Sequence, residues 1–192
     1  MIKKYKISVP KSTLNEIYKK VRNFPWSAAQ NMNGWEYGTN LNYLKNISKY
    51  WITKYNWKKF ENKINSFKNY KTRVEDINLH FIFEKSKNPN SKPLLLLHGW
   101  PGSITEFLDI IPRLAHPEKF GGKIEDGFDI IVPSLPGFGF SSQIKKALGP
   151  RKIGKILNKF MVKNLGYKHY FVQGGDWGAT IAGWIGLDSS KN

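Results

Sequence analysis

The residues that could do chemistry gather in three short stretches. The sharpest is Gly174-Gly175-Asp176-Trp177-Gly178-Ala179, set between a strand-like apolar run and a helix-like one. Small residues around a single carboxylate suit a tight strand-to-helix turn that lifts the central side chain above a sheet, a nucleophile elbow. A carboxylate in that place can attack an electrophilic carbon and form an ester intermediate. The start of a helix favours its ionised form, because free N–H groups and the helix dipole stabilise negative charge. The competing reading is that Asp176 merely caps the following helix.

The second stretch, His98-Gly99-Trp100-Pro101-Gly102-Ser103, ends the apolar run at 94–97. With an elbow of this kind, a loop after a neighbouring strand supplies one backbone N–H of an oxyanion hole and the residue after the nucleophile supplies the other. Trp100 and Trp177 are therefore the predicted donors. Pro101 cannot donate but can fix the turn, and a cis peptide is one way to do so. His98 has no companion ligands in a metal-binding pattern, so a turn-stabilising role is expected rather than a base or a ligand. The third stretch, 133–141 (PSLPGFGFS), lacks the G-x-x-x-x-G-K-[ST] pattern of a phosphate loop and reads as a rigid rim.

The elements that must position these loops begin at Tyr70. Residues 74–83 have the alternation and turn of a hairpin, while Lys92–Leu97 and Phe128–Pro133 are continuous apolar runs typical of strands buried on both faces. Helices are predicted over 104–114 and 151–165, and another strand over 169–173. Strands alternating with helices indicate a parallel sheet covered on both faces. All three loops then fall at strand C-termini, the edge where such sheets bind ligands.

The first third reads as helical. Thr13 and Glu16 have capping-box spacing, which predicts a helix start near Ser12 or Thr13. Residues 24–37 form a loop broken by Pro25 and Gly34, and two amphipathic helices follow over 41–55 and 57–67. The predicted division is a helical segment, 1–70, and a sheet core, 71–192.

A chain of 192 residues, 40% hydrophobic, is enough for one core. Cysteine is absent, which excludes disulfides, thiolate metal sites and cysteine nucleophiles and fits a reducing compartment. No signal-like segment or apolar run of roughly 20 residues is present, so a cytoplasmic protein without membrane contact is expected. The net charge of +17 comes from lysines scattered over helices and loops, with no arginine-rich block or zinc-finger spacing. That distribution points to a solvated surface and not to nucleic-acid binding.

In order and spacing, HGWPGS, PSLPGFGFS and GGDWGA resemble epoxide hydrolases of the microsomal and juvenile-hormone type, within the α/β-hydrolase superfamily. Residues 35–83, with WEYG, YLKNISKYWITKYNWKK, INSF and INLHFIF, resemble the segment this family places ahead of its core. The resemblance covers essentially the whole chain. It implies Asp176 as nucleophile and the amides of Trp100 and Trp177 as oxyanion hole, with His98, Gly99, Pro101, Gly102, Gly174, Gly175 and Gly178 in support. It also implies a small-molecule epoxide as substrate, a vicinal diol as product, a detoxifying role, and no metal or organic cofactor.

In the superfamily the acid and the base histidine follow the nucleophile in chain order; here no histidine or tyrosine follows Asp176. Among the other candidates, His80 lies in the hairpin, His116 beyond a helix, His169 at the far end of the Asp176 strand, and Asp188 late in the next helix. None is placed to act as base. The expectation is a truncated core without lid and C-terminal strands, giving little turnover alone. Its bare sheet edge would be open to self-association or to a complementing chain. The alternatives are a catalytically dead fragment, a binding scaffold, or one half of a split enzyme.

Overall fold

In a computed structural model, residues 1–29 and 34–190 are described; positions 30–33, part of the loop expected over 24–37, and positions 191–192 lie outside that set. The chain packs as two compact units, one of Met1–Ile7 with Lys63–Asn192 and the other of Ser8–Asn62. Lys3 and Lys4 pair with Lys71 and Tyr70 and carry the N-terminus into the sheet. Among the described residues, no helix is long and apolar enough to cross a membrane.

The Ser8–Asn62 unit contains α1 (Lys11–Arg22), a 3-10 turn (Trp26–Ala28), α2 (Leu41–Thr53) and most of α3 (Trp57–Asn65). Helix α1 starts ahead of the expected position, with Pro10 at its N-cap and no side-chain cap, so the Thr13–Glu16 capping box does not form. Proline fixes φ and lacks an N–H that a first turn leaves unused, so it starts a helix without a side-chain cap. In α2 the Asn40 side chain accepts from the Tyr43 N–H at 3.0 Å. Glu61 ties the unit's ends together, accepting from the Val9 N–H at 2.7 Å and the Trp57 indole at 3.0 Å.

The larger unit is built on a six-stranded sheet in the order β1-β2-β3-β5-β4-β6. Its strands are β1 (Lys3–Lys4), β2 (Asn69–Val74), β3 (Ile77–Glu84), β4 (Lys92–Leu97), β5 (Phe128–Pro133) and β6 (Phe171–Gly174). The β5-β4-β6 half is parallel, as expected, and the β1-β2-β3 half is antiparallel. The hairpin turns at Glu75, whose φ is 54°, so its first strand starts at Asn69 and not at Val74. The polar sequence NYKTRV carries no apolar alternation to mark it.

Helix prediction over 104–114 is corrected to a 3-10 turn (Ile104–Phe107) followed by α4 (Ile111–Ala115). Pro112 has no N–H to donate to the carbonyl four residues back, so a continuous α-helical ladder cannot run through it and it lies in the first turn of α4. The turn carries the capping box that α1 lacks, between Ser103 and Glu106. The helix expected over 151–165 is α5 (Pro150–Lys159) running into a π-helical turn (Phe160–Asn164), and α6 spans Trp177–Asp188.

Alternate residues of β4 and β5 face opposite ways, and both sets are buried. Leu95, Leu97 and Ile131 pack with Ile153, Leu157, Ile181 and Ile185 from α5 and α6. Phe81 and Phe160 meet edge to face at 4.8 Å, both fully buried. Burial of such a ring contributes about 1.5–3 kcal/mol.

Candidate active site

Three loops leave the C-terminal ends of parallel strands β4, β5 and β6 and so meet at one sheet edge. The β6 loop is the elbow. Asp176 has φ 52° and ψ −121°, a positive-φ conformation that a non-glycine residue rarely adopts. The turn is held close against β4, where a Cβ on Gly178 would run into the Leu97 carbonyl. The Gly175 N–H donates to the same carbonyl at 3.3 Å.

The carboxylate is exposed, and it does not cap α6 in the usual manner, since no bond to the second or third helical amide forms. Instead the Trp100 N–H donates to Asp176 Oδ1 at 2.8 Å. That amide and the Trp177 amide hold the carboxyl below the usual aspartate range. The two predicted donors therefore converge on one carboxylate. Gly99 allows the approach, because a Cβ there would meet the Asp176 side chain.

The Trp100–Pro101 peptide is cis. His98 is fully buried, and its Nε2 accepts the Leu135 N–H at 3.1 Å. An amide can only donate, so the ring proton sits on Nδ1 and goes to the Gly99 carbonyl at 3.0 Å. Burial pushes the His98 pKa down and keeps the ring neutral. The Phe138 ring stands edge-on to it at 5.3 Å. His98 thus joins the first loop to the third stretch, 133–141, whose own turn is closed by a Phe138 N–H to Leu135 carbonyl bond of 2.8 Å.

Gly102 lies against the Glu106 side chain and Gly175 has open space at its Cβ position. Among the described residues, no histidine hydrogen-bonds to Asp176. His116 Nε2 faces Glu84 at 3.2 Å, and His169 precedes β6, at the opposite end of the β4–β6 ladder from the elbow. Asp188 is taken by Arg151 through two 2.8 Å bonds. Among the described residues there is also no group of three or more side chains suited to a metal ion.

The reading from sequence did not foresee a polar cluster behind the 133–141 loop. His80, fully buried in β3, bonds Ser134 Oγ at 2.9 Å and Asn69 Oδ1 at 3.0 Å. The available signal was a histidine inside the apolar strand INLHFIFE, in a register where its neighbours are buried.

The chain is similar to known proteins. The family described as Epoxide hydrolase N terminus matches residues 2–107, and the alpha/beta hydrolase fold family matches residues 92–191. A putative epoxide hydrolase of Stigmatella aurantiaca is 42% identical over 92% of this chain and 40% of its own length. Epoxide hydrolase 1 of Oryctolagus cuniculus is 36% identical over 94% of this chain and 40% of its own length. The crystal structure of juvenile hormone epoxide hydrolase from the silkworm Bombyx mori superposes with a TM-score of 0.85 and 34% identity, covering 100% of this chain and 50% of that one. The chain spans about 40% of the length of these curated relatives.

Proposed function

The chain belongs to the epoxide hydrolase family, and from that premise we propose that Asp176 is the nucleophile of an epoxide-opening reaction. The supporting observation is the carboxylate oxygen Oδ1, held at 2.8 Å by the Trp100 amide, with the Trp177 amide also favouring the ionised carboxyl. That leaves Oδ2 to attack. A bond forms from Oδ2 to an epoxide carbon, the carbon–oxygen bond of the ring breaks, and the alkoxide takes a proton from solvent water, releasing hydroxide. The product is a hydroxyalkyl ester of Asp176.

In the second half, water adds to the ester carbonyl, whose oxygen is Oδ1. Negative charge then develops on the atom already bonded to the Trp100 amide, so that donor stabilises it without rearrangement. Collapse releases a vicinal diol and restores the carboxylate, and the net reaction consumes one water. The base for this step is, by resemblance, a histidine oriented by a second carboxylate. No histidine described here is in contact with Asp176, so the 192-residue chain by itself is proposed to form the ester and hydrolyse it poorly. A cytoplasmic location and a division into leader (1–70) and core (71–192) belong to the same proposal, on the pattern of the sequence.

The test is incubation with styrene oxide followed by intact-mass measurement. Addition of one epoxide mass, absent in Asp176→Ala, is the expected result. Sustained diol production would overturn the stalled second step.

A second reading, one member of a complementing pair, is favoured by β6. It forms an outer edge of the sheet with Phe171 56% exposed, beside an apolar α6 whose Leu187 is 70% exposed. Diol production restored by a co-purified second polypeptide would support it, and a monomer that gains nothing from any such chain would remove it.

A further inference from the structure

Two buried histidines sit behind the candidate site, and the atoms around them fix their protons in opposite senses. Asn69 Nδ2 donates to the carbonyls of Ile64 and Phe67, each at 2.9 Å, so its Oδ1 must be the atom that faces His80. Carboxamide oxygen only accepts, so His80 carries its proton on Nε2 and Nδ1 is an acceptor. The Ser134 hydroxyl is then the donor to Nδ1 at 2.9 Å. His98 is the mirror case, with its proton on Nδ1 and Nε2 accepting from Leu135.

Ser134 and His80 are linked twice more. The Ser134 N–H donates to the His80 carbonyl at 2.9 Å. The His80 N–H donates to Ser141 Oγ at 3.0 Å, and that hydroxyl donates to the Ser134 carbonyl at 2.7 Å. Every polar ring atom is satisfied, and His80, Ser134, Leu135 and His98 are at most 1% exposed. Breaking such a network leaves buried groups unpaired, which costs more than one ordinary bond returns.

The next residue after Ser134 is Leu135, whose amide holds His98. His98 in turn holds the Gly99 carbonyl, directly before the Trp100 amide that binds Asp176. We propose that His80 is a positioning residue for the oxyanion loop, acting through Ser134, Leu135 and His98 to place the Trp100 N–H on Asp176. The relay begins in β3, so the antiparallel half of the sheet sets the geometry of an amide two strands away. Its consequence for catalysis rests on the reaction proposed above; its consequence for the Trp100 amide does not.

The test therefore has two arms. Trp100 amide hydrogen exchange is followed by NMR at neutral pH in the full 192-residue chain, and the rate of styrene oxide addition is followed by mass. His80→Leu and Ser134→Ala are compared with Val74→Ala, which trims the core away from the relay. The two relay variants are expected to exchange Trp100 about tenfold faster than the control and to alkylate about tenfold more slowly. His80→Asn, which keeps an acceptor where Nδ1 lies, is expected to restore protection. If His80→Leu does not fold, Ser134→Ala, which removes one hydroxyl, decides alone. Exchange no faster than in Val74→Ala overturns the relay. Absence of any adduct in the unmodified chain overturns the proposed reaction and leaves the exchange result to judge the relay.

Discussion

The strand-end loops of the sheet unit and the helices of the Ser8–Asn62 unit are ordered by different forces. At the loops, position is set by hydrogen bonds among buried or closely packed atoms, as in the chain from Ser134 to His98 to Gly99. In the helical unit the side chains meet mainly as apolar area. Ile17, Ile47, Trp51 and Trp57 help line an open groove of about 500 Å³, and Ile47 and Trp51 remain 45% and 43% exposed. Area tolerates substitution in proportion to what is buried, whereas a bonded network depends on single atoms. Sensitivity to small changes should therefore be concentrated at the loops.

The sharpest break of that contrast is at Gly99. A methyl group there meets the Asp176 side chain, so Gly99→Ala is expected to reduce the rate of styrene oxide addition by about 100-fold, the scale on which misplacement of a reacting group acts. An unchanged rate would mean that the loop yields easily. Gly178→Ala drives a methyl group toward the Leu97 carbonyl and should cost about 1–3 kcal/mol in urea denaturation. An unchanged midpoint would show that α6 can back away from β4 freely.

Acid should reach the loops before the helical unit. Burial lowers the His80 pKa from 6.5 to about 3, so between those values the unfolded chain binds a proton that the folded one refuses. Stability from this group is complete above pH 6.5 and is lost as pH falls toward 3, at about 1.4 kcal/mol per pH unit. Denaturation curves across that window should be flatter for His80→Leu than for the unmodified chain. Parallel curves would remove His80 as the source. The smallest effect is expected at Ile47→Ala, a change of about 0.5 kcal/mol at a half-exposed position, with alkylation at Asp176 unaltered. A large loss of alkylation there would erase the distinction between the two regions.

Much of the site side was legible because its signals are local. The apolar runs of β4 and β5 were bounded correctly, since a strand buried on both faces has no alternation to misread. The elbow announced itself through glycines that leave room for close packing. The helix starts were harder, because Pro10 and Pro112 override the spacing of caps and apolar residues. Strand β1 is two lysines and β2 is largely polar, so neither exists as a pattern until β3 offers a partner. Of the His80 cluster only the histidine within an apolar strand shows in the sequence, and its partners do not. Its partners lie 11 and 54 residues away, and only the folded sheet brings them together.

In the proposed reaction the Asp176 carboxylate, held by the Trp100 amide, supplies the oxygen of the new bond. The most direct test is to digest the styrene oxide-treated chain and locate the adduct by tandem mass spectrometry. A single hydroxyalkyl ester on the peptide containing Asp176, released by mild base, is the predicted result. An unmodified Asp176 peptide, with label only on lysine or histidine elsewhere, would contradict it.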